Sequence, residues 1–262
     1  MAARIELEVQ GRPARVWFAG DAAAPALVLV HGGLAGAAPH WSSVWDRLGN
    51  SYRVIAPELP GIGWVEVPGL PTVGAYAEWL VSMLDALKIE HAWWVGNSFG
   101  ASVAASVAGR FPERTRGLAM VNGFAMPATP PWLVPFAKGR FARAVMTTIV
   151  RAIYRQASLR RAFADPSRLP ESLVAAMKDW PVIIPYYVEL LIAGDGPPAP
   201  RVAPRLVFGA ADRLPGTRRR NAEALAGRLP GAELRLLEGA GHFPQVERPE
   251  AFAREIEEWA GG

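Results

Sequence analysis

The 262-residue chain is about half apolar and one-fifth charged, ordinary globular values that exclude an intrinsically disordered polymer. It has no cysteine, which excludes a disulfide framework, a thiolate nucleophile and a cysteine-based zinc site. The formal charge is only +4, all of it contributed by residues 124–200 with nine Lys/Arg against five Asp/Glu; this lacks the dense basic stripe and recognition module of a nucleic-acid binder.

In chain order, residues 4–9 and 14–18 alternate like edge strands around a Gly11-Arg12-Pro13 turn. Leu27-Val28-Leu29-Val30 is continuously apolar, as suits a strand buried on both faces of a parallel sheet, and runs into His31-Gly32-Gly33. Tyr52–Ala56 is a second such run, followed by a loop rich in proline and glycine as far as Leu70. Val73, Tyr76, Ala77, Leu80, Leu84 and Leu87 then share one helical face. Ala92–Val95 is a third buried run, followed by a small-residue helix from Ser102 to Arg110. Gly117–Val121, Val202–Phe208 and Glu233–Leu237 complete the strands. Helices are expected over Arg218–Arg228 and after Pro249, the last burying Phe252, Ile256 and Trp259.

Strands alternating with helices imply an α/β fold, a mostly parallel central sheet with helices on both faces. Residues 124–200 interrupt the alternation. They read as helical, rich in proline and aromatic residues, and as an insertion over one end of the sheet. The domain reading is a core of 1–123 and 201–262 with an insertion of 124–200. Met1–Glu6 has no apolar h-region, and no apolar run is long enough for a bilayer, so a cytoplasmic protein without a membrane anchor is expected.

The chemistry centres on Gly96-Asn97-Ser98-Phe99-Gly100, which follows a strand and opens a helix. A serine on so sharp a turn has a strained backbone that leaves no room for side chains two residues away, hence glycine on both flanks. The turn lifts the hydroxyl to the carboxyl end of the sheet, where the helix N-terminus favours developing negative charge. A serine needs a base. Of the four histidines, His31 shapes a loop, His40 lies in a loop before Trp41, and His91 begins its strand at the wrong end of the sheet. His242, after the last strand, leaves the same end as Ser98 and is the expected base. Asp212, after the fifth parallel run, is the expected carboxylate; Glu238 is its rival, and Asn122 fills another position suited to an acid without being one. The oxyanion needs two backbone donors: the amide of Phe99, and that of Gly33 or, alternatively, Leu34. Trp41, Trp64, Phe243 and Trp132 are candidates for an apolar substrate pocket.

Taken together, His31-Gly32-Gly33, Leu59-Pro60-Gly61-Ile62-Gly63, the 96–100 turn, Gly209–Asp212, Gly239–His242 and Pro249-Glu250 resemble the α/β-hydrolase superfamily over nearly the whole chain, in its serine esterase-like branch. The order Ser, Asp, His is the one this fold uses. The resemblance implies that 124–200 is a helical cap that sets substrate choice. It also implies hydrolysis of an ester-like acyl bond of a small-molecule substrate, with no cofactor and no metal. Glu58 departs from the aspartate common in the family, and Asn97 stands where many relatives have His or Trp. Serine as nucleophile argues against the dehalogenase and epoxide-hydrolase branches. Carbon–carbon hydrolysis and perhydrolysis on the same triad, a small-molecule receptor on this fold, and an acidic carrier docking on the basic insertion are the competing expectations.

Overall fold

The computed structural model describes residues 2–123, 139–196, 198–214 and 216–261. Eight strands form one sheet: β1 (Ala3–Val9), β2 (Arg12–Ala19), β3 (Ala26–Val30), β4 (Arg53–Pro57), β5 (Ala92–Asn97), β6 (Thr115–Val121), β7 (Arg205–Gly209) and β8 (Glu233–Leu237). Their spatial order is β1-β2-β4-β3-β5-β6-β7-β8. β2 pairs antiparallel with β1 and β4, and every later pairing is parallel. Residue patterning explains the arrangement. All five residues of β3 are buried, as expected of a strand covered on both faces. β1 is largely exposed and β8 buries no residue fully; they lie at the two edges.

From β3 the chain steps one way to β4 and then back across β3 to β5. That reversal opens a crevice beyond the carboxyl ends of β3 and β5, the place where open α/β sheets bind ligands. The loop at His31–Gly36 and the turn at Ser98 therefore come together through topology alone.

Helices cover both faces. One carries α3 (Val73–Ala86) and α4 (Phe99–Arg110), whose buried Tyr76, Trp79, Leu80 and Val103 share a core with Val28 and Trp94. Thr72 caps α3 by accepting from the Ala75 amide at 3.0 Å. The other face carries α1 (Ala37–Trp41), α2 (Trp45–Leu48) and α11 (Pro249–Gly261), which bury Trp41, Leu48 and Phe252 beneath Leu27, Leu29 and Val95. α9 (Arg219–Ala226) packs against β7 and β8, and α10 (Pro244–Glu247) packs between α1 and α11. The two short helices α1 and α2 lie where the sequence suggested only loop. Glu58 accounts for the first: its buried Oε2 accepts the Ala37 amide at 2.8 Å, capping α1, and its Oε1 accepts the Trp17 indole at 2.9 Å. Gly36 and Gly63 make room for it, since a Cβ on either would lie 2.3 Å from Oε2.

Between β6 and β7 stand α5 (Arg140–Ile153), α6 (Gln156–Ala162), α7 (Glu171–Ala175) and α8 (Trp180–Ala193). They bury Val150, Phe163, Leu173 and Ile183 in a third cluster, which also takes in Leu34, Ala35 and Phe243 from the sheet's loops. Asp195 pins the return of this segment: its carboxylate accepts the Val73 and Gly74 amides at 2.9 and 2.8 Å, where the N-terminus of α3 favours a negative charge. Among the described residues no helix is long and apolar enough to cross a membrane.

Candidate active site

Ser98 joins β5 to α4 with φ 55° and ψ −116°, a backbone region that costs a non-glycine residue on the order of 1–3 kcal/mol. The surroundings impose it. The Ser98 amide donates to Val121 O at 2.9 Å. A Cβ on Gly96 would lie 2.1 Å from Gly100 O, and one on Gly100 would lie 2.2 Å from Val30 O. Both flanking glycines are therefore steric requirements of the turn. Phe99 is the first residue of α4, so its amide has no partner within the helix.

His242 lies in the loop after β8 and is 2 % exposed. Its Nδ1 is 2.8 Å from Asp212 Oδ2. A carboxylate only accepts, so Nδ1 carries the proton and Nε2 is left as the basic nitrogen. Asp212 is itself held: Oδ2 also accepts Asn122 Nδ2 at 2.7 Å, and Oδ1 accepts the Leu214 amide at 2.9 Å. Asn122 in turn accepts the Gly209 amide at 2.9 Å and adopts a positive φ of 40°. The position suited to an acid thus carries an amide that orients one. Glu238 is exposed and makes no hydrogen bond to this network among the described residues.

Three more residues fix the histidine loop, and sequence patterning gave no sign of them. Asn97 Nδ2 donates to Val121 O at 3.1 Å and His242 O at 3.2 Å, bridging the serine turn to the histidine loop. Thr217 Oγ1 is 3.4 Å from His242 Nδ1. Glu247 is buried and accepts the Gly241 amide at 2.6 Å and the Ala164 amide at 2.7 Å. Burial pushes its carboxyl upward, and these amides oppose the shift. The His242 amide donates to Ala162 O at 2.6 Å, so the histidine loop is tied directly to the helical segment.

The other two site-proximal histidines are structural. His31 Nε2 accepts the Leu59 amide at 2.8 Å and its Nδ1 faces Gly32 O at 2.8 Å. His40, inside α1 rather than in a loop, accepts the Gly32 amide at 3.1 Å and donates to Gly36 O at 2.8 Å. Burial lowers their pKa values to about 4 and about 3, so both are neutral at pH 7.

Ser98 and His242 share the wall of a cavity of about 140 Å³ with Gly33, Leu34, Leu214 and Thr217. Its roof is Ile153, Tyr154, Tyr187 and Leu191 from α5, its C-terminal cap and α8. Tyr154 donates to Gly33 O at 2.8 Å and the Trp180 indole to Leu34 O at 2.9 Å, so the roof grips the glycine loop through both carbonyls. A wider hollow of about 520 Å³, lined by Asp85, Lys88 and Arg114, lies at the opposite end of the sheet, and neither serine nor histidine lines it.

The aromatic residues expected in the pocket require correction. Trp41 is fully buried and packs on Phe252 beneath the sheet, because α1 turns it away from the crevice. Trp64 lies under the Arg15 guanidinium, 4.0 Å from its ring centre, at the β2 side. Phe243 is fully buried behind His242, stacked on Phe163 at 5.2 Å. Trp132 falls outside the described residues. The tyrosines that do line the cavity come from the helical segment. Among the described residues no group of three or more His, Cys, Asp or Glu is placed to hold a metal ion.

Residues 27–255 match the profile of the Alpha/beta hydrolase family. The chain belongs to this family. Similar proteins include the 2-hydroxymuconate semialdehyde hydrolase of Pseudomonas sp. (strain CF600), 30% identical over 249 residues covering 87% of this chain and 83% of that protein. The pimeloyl-[acyl-carrier protein] methyl ester esterase of Aromatoleum aromaticum is 30% identical over 256 residues, 91% of this chain and 99% of that one. Among solved structures, the 2-hydroxy-6-oxo-6-phenylhexa-2,4-dienoate hydrolase from Rhodococcus sp. strain RHA1 superposes with a TM-score of 0.77 over the whole of both chains at 24% identity, a likeness of fold. The family and these relatives support a hydrolase.

Proposed function

We propose that the protein is a serine hydrolase of compact, neutral carboxylic esters, with Ser98 as nucleophile, His242 as general base and Asp212 as its orienting carboxylate. The observation that carries this reading is the strained Ser98 turn sharing one small cavity with a histidine whose far nitrogen is held at 2.8 Å by a buried carboxylate. His242 Nε2 takes the proton of Ser98 as Oγ attacks the ester carbonyl. The amides of Phe99 and of Gly33, or its neighbour Leu34, hold the oxyanion. The imidazolium, stabilised by Asp212, protonates the departing alcohol. Water, deprotonated by the same nitrogen, then attacks the acyl-enzyme, and the acid leaves as Ser98 recovers its proton. Residues 124–200 act as the cap, and their exposed arginines, such as Arg151, Arg155 and Arg160, offer an acidic carrier a surface whose use a salt-sensitive pulldown would reveal.

Cavity size and lining support the substrate class. About 140 Å³ is well below the roughly 300–1,000 Å³ of pockets for drug-sized ligands, which favours short acyl groups. The described lining includes no Lys or Arg, which favours neutral over anionic acyl groups. Hydrolysis of p-nitrophenyl esters from acetate to palmitate tests the proposal. Turnover peaking at acetate to butyrate and lost in Ser98→Ala is expected. No turnover of any ester by the folded protein contradicts it and favours the carbon–carbon or receptor reading.

A further inference from the structure

Three tyrosines of the cap reach the core, and two have their hydroxyls committed to protein. Tyr154 donates to Gly33 O at 2.8 Å. Tyr186 meets Leu70 O and lies 2.6 Å from the hydroxyl of Tyr76. Tyr187, next along α8, has no hydrogen-bond partner for its hydroxyl among the described residues, yet it lines the cavity that holds Ser98 and His242. The residue is half-buried, exposed in part where it lines that cavity.

The ring itself is firmly placed. It meets Phe99 edge-on, with centroids 5.4 Å apart, and Tyr154 at 5.9 Å. A Cβ on Gly33 would lie 3.0 Å from Tyr187 Cε2 and 3.4 Å from Cζ. The phenol end of the ring therefore sits over Gly33, and the ring also meets Phe99. These two residues carry the proposed oxyanion amides. Burial pushes the phenol upward, so it keeps its proton at neutral pH and is a donor. A phenol donor with no described protein partner, lining the cavity, is placed to donate to an oxygen of whatever occupies it.

We propose that Tyr187 is a substrate contact, donating a hydrogen bond to an oxygen on the acyl group close to the scissile carbonyl, so that the enzyme selects short acyl groups bearing an ether, keto or hydroxyl oxygen. This rests on the serine-ester reading above and adds a specificity residue to it. An acyl chain of the same shape without that oxygen fits the cavity but leaves the phenol unpaired, and discrimination of this kind is strong when the site's polar group is buried.

Matched esters test it: p-nitrophenyl methoxyacetate and p-nitrophenyl butyrate differ by one oxygen in place of a methylene. Tyr187→Phe keeps the ring and its contacts. It is expected to lower kcat/KM for the methoxyacetate about tenfold while leaving the butyrate within about twofold. A purely structural role would slow both esters alike, as is expected of Tyr154→Phe, which frees the Gly33 loop. Equal effects of Tyr187→Phe on the two esters overturn the proposal. Should the wild type hydrolyse neither, the serine-ester reading fails, and binding decides the role of Tyr187 separately. In the Ser98→Ala background, tryptophan fluorescence should give about tenfold weaker methoxyacetate binding once Tyr187→Phe is added. An unchanged affinity, or no binding of either ester, overturns it.

Discussion

The floor and the roof of the cavity are built on different principles. The floor is set by backbone geometry and a closed polar lattice: Gly96 and Gly100 have no space for a side chain, and Asp212 is gripped by Asn122, Leu214 and His242 together. The roof is made of apolar and aromatic side chains on α5 and α8, with Ile153 partly in solvent. A floor of this kind tolerates almost no change, because each group is fixed by several others. A roof of this kind can be reshaped without touching the reacting atoms. On the proposed reading, chemistry and substrate choice reside in separate parts of the molecule, joined where Tyr154 and Trp180 hold the Gly33–Leu34 carbonyls and where Ala162 O accepts the His242 amide.

The largest expected effect strikes the floor's polar lattice. Asp212→Asn keeps the shape of the side chain but presents a donor to Asn122 or His242, which disfavours the tautomer with a basic Nε2. On the account above kcat falls by about 10³–10⁴ with the fold intact; steady-state kinetics beside a near-ultraviolet CD spectrum check this, and a loss under tenfold would place the carboxylate elsewhere. Next in size is a pair of truncations and additions that sets floor against roof. Gly96→Ala introduces a Cβ 2.1 Å from Gly100 O and should cost about 3 kcal/mol or more in urea unfolding. Ile153→Ala, at the partly exposed rim, should cost under about 1 kcal/mol while shifting the ester optimum to longer acyl chains. Equal costs for the two would dissolve the distinction.

A smaller effect is the pH dependence of stability. His31 and His40 are buried beneath the Gly32 loop, and burial lowers their pKa values from 6.5 to about 4 and about 3. Above pH 6.5 both are neutral whether folded or unfolded, and their contribution is fully present. Below it the unfolded chain binds the protons first, so stability falls as pH drops, by up to about 1.4 kcal/mol per pH unit for each histidine, until the folded values are reached. Urea unfolding at intervals from pH 7 to 4.5 should show this, and His40→Gln should remove one histidine's share of the slope. A variant with the wild-type slope would mean that His40 is not held neutral.

The floor was far more legible in the sequence than the roof. Ser98, Asp212 and His242 each follow an apolar run that the eye takes for a strand, so topology delivers them to one edge without any knowledge of contacts. The parallel sheet was legible for the same reason: β3 and the runs Ala92–Val95 of β5 and Gly117–Val121 of β6 are almost wholly buried and read as continuous apolar stretches. The supporting residues were not. Asn122 meets Asp212 across 90 positions and Asn97 meets His242 across 145, and no local pattern marks either pair. Trp41 misled because an aromatic residue close in sequence to the crevice looks like lining. Its own helix carried the correction, since Ala37, His40 and Trp41 are spaced to bury one face. Tyr187 could not be told from Tyr186 by sequence; only their neighbours distinguish a committed hydroxyl from an open one.

The central claim is that Ser98 is the activated nucleophile. Its most direct test is treatment of the folded protein with diethyl p-nitrophenyl phosphate, which phosphorylates activated serines, followed by peptide mass spectrometry. The account predicts one diethylphosphoryl adduct per chain, on Ser98, with matching release of p-nitrophenol and none in Ser98→Ala or His242→Ala. An unlabelled Ser98 in the folded wild type, or an adduct on another residue that persists in Ser98→Ala, would contradict it.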